Sequence, residues 1–269
     1  MAIRVAVAGA KGKMGSETVK MIAKDPELEL VCGVDTTLDQ VDVGEYLGLG
    51  SLGAPFVNDL EKALTRYPAD VLVDFTTPRS VKENAVLALQ YRVRPVIGTT
   101  GLSPQDLDDL ARLAEENQLG AIVAPNFAIG AVLMMKFAQM AAKYMPEVEI
   151  IEMHHDQKLD APSGTAIKTA QLIAEVRKEH RQGHPEEREE IEGARGGYYQ
   201  GFRIHSVRLP GLVAHQKVIF GSEGQTLTLR HDSLHRSSFM PGVKLAIKKV
   251  VHLDHLVYGL DKLLDDELD

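Results

Sequence analysis

At 269 residues the chain exceeds one average domain and falls short of three, so two modest domains are expected. Hydrophobic residues at 44% and charged residues at 25% are globular values, and no apolar run approaches the ~20 residues a membrane helix needs. A net charge of -8 argues against non-specific nucleic-acid binding, which requires a basic face, and a single cysteine, Cys32, excludes an intrachain disulfide or a cysteine-based metal site. Met1 to Val5 enters a β-pattern directly, with no basic and apolar leader, so the expected location is the cytoplasm, away from any membrane.

Ile3 to Ala8 is a short β-branched run that ends in Gly9-Ala10-Lys11-Gly12-Lys13-Met14-Gly15, after which Val19, Met21 and Ile22 share one helical face. The pattern is strand, glycine turn, helix. The spacing is G-x-x-G-x-x-G, but the physics of a dinucleotide turn is met: a tight turn, close backbone approach to a pyrophosphate, and close packing of helix on strand. The next apolar run, Leu28 to Val34, ends at Asp35, where an acidic side chain can bind adenosine ribose hydroxyls. Lys11 and Lys13 are open to two readings, solvated turn lysines or cations for a pyrophosphate or a 2′-phosphate.

Val41 to Pro55 is glycine-rich and aperiodic, a loop around short structure. Alternation then resumes. Val71 to Phe75 is a strand with Thr76-Thr77-Pro78 as its turn, and Val81, Ala85, Val86 and Leu89 form a helix face. Val93 to Ile97 is a strand ending in Gly98-Thr99-Thr100-Gly101, and Ser103 and Pro104 suit the N-cap and first position of the helix that follows. Ala121 to Ala124 is a further strand, opening into Pro125-Asn126-Phe127. Repeated βα units imply an α/β domain of the Rossmann type, with ligands bound beyond the carboxyl ends of its parallel strands. Gly9 to Gly15, Phe75 to Thr77, Gly98 to Gly101 and Pro125 to Phe127 all lie at such ends, so one cofactor can touch all four loops.

Gly130 to Tyr144 reads as an apolar helix and Val148 to Met153 as a strand. Helical period returns from Thr165 to His180, and Pro185 to Glu192 reads as a solvated charged loop. From Phe202 the pattern changes to strands without intervening helices, Phe202 to Arg208, Gln216 to Phe220 and Gln225 to Arg230, which gives a second, α+β domain with an antiparallel or mixed sheet. Val243 to Val251 is helical, and Leu256 to Leu264 packs before an acidic, frayed end.

Between strand and helix stands Glu152-Met153-His154-His155-Asp156-Gln157-Lys158-Leu159-Asp160-Ala161-Pro162-Ser163-Gly164-Thr165. A core would not gather these charges. Ser163 suits an N-cap, the first-turn amides and helix dipole suit a carboxylate, and Lys158 adds a positive charge and a proton donor. His154 or His155 is the natural general acid or base, because histidine titrates near neutrality. A metal site is not expected, since adjacent histidines diverge and no suitably spaced third ligand follows.

This stretch, with the Gly9 turn, Gly98-Thr99-Thr100-Gly101 and Ala124-Pro125-Asn126-Phe127 in the same order, closely resembles the dihydrodipicolinate reductase family, and the resemblance spans essentially the whole chain. It implies hydride transfer from a nicotinamide to a cyclic unsaturated dicarboxylate, giving tetrahydrodipicolinate on the diaminopimelate route to lysine. Carried over by motif position, His154 is the acid/base residue, Lys158 the proton donor, His155 a substrate contact, and Ser163, Gly164 and Thr165 the carboxylate-binding turn. Gly9, Ala10, Lys11, Gly12, Lys13, Met14, Asp35, Phe75, Thr76, Gly98, Thr99, Thr100, Ala124, Pro125, Asn126 and Phe127 hold the cofactor. The resemblance also implies closure of the two domains over substrate and a homotetramer joined through the second domain's sheet. Residues 1–127 and 241–269 form the nucleotide domain and 128–240 the substrate domain, while Arg236 and Phe239, near the return, take no assigned role. Family members that use NADPH well often place arginine after the acidic residue. Here Thr36 follows Asp35, so dual use of NADH and NADPH with an NADH lean is expected.

Two rivals fail on particular residues. A semialdehyde dehydrogenase needs a catalytic cysteine, and Cys32 belongs to the second strand. A non-catalytic dinucleotide-binding redox sensor uses the Gly9 turn and Asp35 but leaves His154, His155, Lys158 and Ser163 without a purpose.

Overall fold

A computed structural model describes residues 1–265; the acidic end read as frayed lies outside them beyond Asp265. The chain divides into two compact units, Met1–Phe127 with the C-terminal segment from Phe239, and Ala128–Ser238.

In the first unit the strands are β1 (Ile3–Ala8), β2 (Leu28–Val34), β3 (Phe56–Val57), β4 (Val71–Asp74), β5 (Arg94–Ile97) and β6 (Ala121–Val123). The helices between them are α1 (Lys13–Ile22), α2 (Val43–Tyr46), α3 (Leu60–Arg66), α4 (Val81–Gln90) and α5 (Pro104–Asn117). The start of α5 follows from its sequence: Ser103 and Asp106 form a reciprocal capping box with proline in the first turn. The second unit holds α6 (Ile129–Ala142), β7 (Glu147–His154), α7 (Gly164–Val176), β8 (Gly197–Tyr199), β9 (Phe202–Arg208), β10 (Ala214–Ser222) and β11 (Gln225–Ser233). The chain then returns to the first unit as α8 (Met240–Val250), β12 (Leu256–Tyr258) and α9 (Leu260–Asp265).

The first sheet is parallel throughout, in the order β12-β6-β5-β4-β1-β2-β3. The chain runs outward from β1 to β3, then restarts beside β1 at β4 and runs the other way. That reversal leaves a crevice at the carboxyl ends of β1 and β4, where such sheets bind ligands. Because helices cover both faces, the strands are apolar without alternation: Val5, Ala6 and Val7 of β1 and Val71, Leu72 and Val73 of β4 are fully buried. Each large side chain so enclosed, such as Leu72 or Ile122, contributes roughly 1.5–3 kcal/mol. Cys32 lies in this core, where burial pushes its thiol up to about 12.

The second sheet is mixed, in the order β11-β10-β7-β9-β8, with β7 parallel to β9 and the other pairs antiparallel. One face packs on α6 and α7 through Val148, Ile150, Phe202, Ile204, Val218 and Phe220, against Met134, Ala138, Ala166, Ala170 and Ile173. The alternation along β7 therefore turns Glu152, two residues after Ile150, towards the covered side.

Several elements differ from the sequence reading. The β3, β8 and β12 strands have two or three residues each, too few to show a period. The last of these replaces part of a segment expected only to pack. Helix α7 stops at Val176 because Arg177 is extended, its guanidinium donating to the carbonyls of Pro146 and His180 and stacking over Phe202. The Pro185 to Glu192 loop is exposed throughout, as read, but two of its acids have partners beyond it. Glu187 pairs with Arg195 and Arg203, and Glu189 accepts from the backbone amides of Gly193 and Arg195, whereas Arg188 and Glu190 stay exposed. Among the described residues no helix is long and apolar enough to cross a membrane.

Candidate active site

At the carboxyl end of β1 the chain turns sharply into α1. Gly9 has φ +74°, a left-handed value that favours glycine, and a Cβ there would stand 2.5 Å from the Phe75 carbonyl oxygen. A Cβ on Gly15 would stand 2.1 Å from the Gly9 carbonyl oxygen, so helix and turn touch backbone to backbone. Gly12 is the N-cap of α1, with no side chain capping it and no acidic residue in the first turn. That is the electrostatic profile of a phosphate site.

The neighbouring loops are tied together by a residue the sequence reading passed over. Asp74, 1% exposed, accepts at Oδ1 from the Thr76 amide (2.9 Å), the Thr76 hydroxyl (2.7 Å) and the Thr99 hydroxyl (2.8 Å), while Asn84 donates to Oδ2. One buried carboxylate thus fixes the loops after β4 and β5. An acid at the end of an otherwise apolar strand was the available signal. Phe75 and Phe127 meet edge to face, 5.9 Å between centroids, and a Cβ on Gly98 would collide with both rings. Behind the Ala124 to Phe127 loop, α8 approaches so closely that a Cβ on Gly242 would stand 2.0 Å from the Phe127 carbonyl oxygen. Met14 and Asn126 are partly exposed on these loops, and Lys13, Thr100 and Pro125 are exposed.

Asp35 ends β2 and accepts at Oδ1 from the amide and hydroxyl of Thr37. Lys11 Nζ reaches that same hydroxyl at 2.9 Å, which places Lys11 beside the acid. Glycine cradle, bare helix start and acidic residue together fit a dinucleotide.

In the second unit, Glu152 is fully buried at the end of β7. Its Oε1 accepts from Arg208 Nη2 (2.7 Å) and the Ser163 amide (3.2 Å), and its Oε2 accepts from Arg208 Nη1 (2.9 Å) and faces His154 Nδ1 at 2.6 Å. Burial would raise this carboxyl, but hydrogen bonds from His154, Arg208 and Ser206 outweigh it and bring it down to about 2. An ionised carboxylate only accepts, so the proton of neutral His154 sits on Nδ1 and Nε2 is left for chemistry.

His155 is exposed beyond the strand end, and its carbonyl closes a turn by accepting from the Lys158 amide at 3.2 Å. Lys158 Nζ contacts both oxygens of Asp160, at 2.7 and 2.9 Å, and holds that carboxyl below its usual range. Ser163 caps α7 by accepting from the Ala166 amide. Gly164 is exposed with open space where a Cβ would be, and the first turn carries no acid. The Thr165 carbonyl is held from behind by Thr169, whose hydroxyl in turn accepts from Gln216 Nε2. The unit therefore gathers two histidines, a lysine and an acid-free helix start at one end of β7. Neither Arg208 nor Glu152 was assigned from sequence: Arg208 lies fifty-six residues from its partner, and only strand parity marked Glu152 as buried.

The Glu152 carboxylate also sets an acid response. Its folded value near 2 lies below the ~4.3 of a free glutamate, so its ionisation stabilises the fold by about 3 kcal/mol. That stability is complete above pH ~4.3 and is lost as pH falls from there to about 2. In thermal melts across this range, Glu152→Gln is expected to lose Tm less steeply than the parent; parallel slopes would remove Glu152 from the acid response.

A parallel sheet with a dinucleotide turn, and a second unit carrying acid–base and anion-binding groups, define a pyridine-nucleotide-dependent oxidoreductase. The families described as dihydrodipicolinate reductase, N-terminus, and dihydrodipicolinate reductase, C-terminus, match residues 3–127 and 130–264. The chain is 61% identical over 263 residues to the 4-hydroxy-tetrahydrodipicolinate reductase of Halalkalibacterium halodurans, covering 98% of this chain and 100% of the relative. It is 58% identical over 265 residues to that of Geobacillus thermodenitrificans, with the same coverage. A solved structure of dipicolinate-bound dihydrodipicolinate reductase from Paenisporosarcina sp. TG-14 superposes with a TM-score of 0.87 at 56% identity, covering 97% of this chain and 99% of that one. The chain belongs to the dihydrodipicolinate reductase family.

Proposed function

We propose that the protein reduces 4-hydroxy-tetrahydrodipicolinate to tetrahydrodipicolinate on the diaminopimelate route to lysine. The substrate gains one hydride and one proton and loses its hydroxyl as water. The nicotinamide supplies the hydride. His154 serves as acid/base through Nε2 and Lys158 donates the proton to the carbon skeleton. His155 contacts substrate, and Ser163, Gly164 and Thr165 bind a carboxylate at the start of α7. The observation that carries this reading is the cluster at the end of β7, where two histidines, a lysine and an acid-free helix start suit an anionic substrate. Dipicolinate, the ligand of the Paenisporosarcina structure, has the same dicarboxylate character.

Gly9 to Met14, Asp35, Phe75, Thr76, Gly98 to Thr100 and Ala124 to Phe127 hold the dinucleotide. Asp35 repels a 2′-phosphate, Lys11 beside it attracts one, and no arginine follows at Thr36. Both cofactors are therefore used, with a lean to NADH. The kcat/KM ratio is expected to favour NADH by less than about 10-fold, since surface charge contacts of this kind are worth about 1 kcal/mol or less. A strong NADPH preference would reverse the assignment. The protein works in the cytoplasm as a homotetramer joined through the second unit's sheet, whose uncovered face carries Ile151, Met153 and Ile219; the molar mass in solution tests this.

The deciding experiment couples aspartate semialdehyde and pyruvate through the preceding synthase and follows NADH loss. No synthase-dependent NADH loss would sink the reading.

A further inference from the structure

We propose that the buried Glu152–Arg208 pair is the positioning device of the site, fixing the tautomer and orientation of His154 on one side and the seat of Lys158 on the other. This rests on the roles given above to His154 and Lys158. The two catalytic candidates do not hold themselves in place. His154 lies at the last residue of β7, next to an exposed loop, with 15% of its side chain exposed. Lys158 is a flexible ammonium in that loop. What both share is Arg208.

The fork of Arg208 grips Glu152 through Nη1 and Nη2, and Nη2 also donates to the Asp160 carbonyl at 2.8 Å. Asp160 holds Lys158 through its carboxylate. Arg208 Nη1 donates further to the Val207 carbonyl, which anchors the guanidinium to β9. Glu152 lies opposite Ser206 and His154 opposite Arg208 in the β7–β9 ladder, so the pairing of the strands itself sets this geometry. With both carboxylate oxygens engaged, Glu152 cannot rotate, and its remaining acceptor direction is aimed at His154 Nδ1. The imidazole is thereby locked with its proton on Nδ1 and a lone pair on Nε2. A histidine with the tautomers mixed would offer the wrong nitrogen for much of the time, and its ring could turn. A lysine could not replace Arg208, because a point charge does not reproduce a planar fork.

The test uses the full-length protein with Glu152→Gln, Arg208→Lys, and the double variant E152Q/R208M, which removes carboxylate and guanidinium together so that no buried charge is left unpaired. Glutamine keeps the shape of Glu152 but offers either an oxygen or an amide hydrogen to Nδ1. For E152Q the expected result is a kcat lower by roughly 10²-fold with dicarboxylate KM and cofactor Kd within about 2-fold, the pattern of a group acting on the chemical step. Nitrogen-15 spectra of the histidine ring are expected to show His154 as the Nδ1–H form in the parent and as a mixture in E152Q. R208K is expected to lose roughly 10-fold in kcat. The double variant is expected to melt near the parent temperature and still turn over slowly, which separates positioning from folding; it also carries the test if E152Q fails to fold. Parental kcat in any folded variant lacking the carboxylate would overturn the proposal. So would a loss of kcat with the His154 tautomer unchanged. The tautomer readout needs no substrate, so failure of the parent in the coupled assay would refute the assigned reaction and leave this proposal to be judged by the spectra.

Discussion

Lys158→Ala is expected to lower kcat/KM for the dicarboxylate roughly 10³-fold while NADH affinity stays within about 2-fold, because the substitution removes a proton donor and a positive charge from the chemical step alone. The chain itself separates the two effects. Lys158 belongs to the second unit, whereas the Gly9 turn, Asp35 and the Phe75–Phe127 contact belong to the first. Fluorescence titration with NADH and the coupled assay read the two quantities independently. Removing Lys158 also leaves the Asp160 carboxylate without its partner, at a position where 61% of that side chain is exposed, so folding should not suffer. Turnover at the parental rate would show that the proton comes from elsewhere.

Gly15→Ala is expected to act on the cofactor. The new methyl would stand 2.1 Å from the Gly9 carbonyl oxygen, 2.7 Å from the Gly9 carbonyl carbon and 2.8 Å from the Ala10 Cα. All three are backbone atoms of the turn, so relief requires α1 to move off β1. Overpacking of this kind costs about 1–3 kcal/mol of stability. Displacing the helix start by even a fraction of an ångström also withdraws the bare amides from the pyrophosphate, so dinucleotide Kd should rise at least about 10²-fold. Calorimetric titration with NADH and a thermal melt measure the two losses; unchanged NADH affinity would mean the turn does not hold the cofactor.

How far the sequence carried depends on the range of the physics involved. The β1 strand, its turn and α1 were legible because a βα unit is local: apolar run, glycine spacing and amphipathic face lie within twenty residues. The α5 helix was legible for the same reason, Ser103 and Pro104 marking its start side by side. His154, Lys158 and Ser163 stood out as a candidate anion site because a fourteen-residue stretch concentrates their chemistry. What brings them into order did not. Arg208 reaches Glu152 across the β7–β9 pairing, and strand partners are set by the sheet and not by the neighbouring residues. Asp74 is the same case in the first unit, an acid whose meaning appears only when Thr76, Thr99 and Asn84 converge on it. The Pro185 to Glu192 loop marks a further limit. Its charge run is solvated, yet Glu187 ties it to the sheet through Arg203 of β9, sixteen residues on, a partner that no local pattern announces.

The return of the chain to its first unit has a consequence for biosynthesis. The β12 strand completes the edge beyond β6, and Val243, Ala246, Ile247 and Val250 of α8 are buried in that unit. A nascent chain that has emerged as far as Phe127 therefore lacks a strand and a core helix, and it must wait through synthesis of the entire second unit to obtain them. The later-made lobe is the first that can finish folding, and the nucleotide-binding lobe, although begun first, closes last.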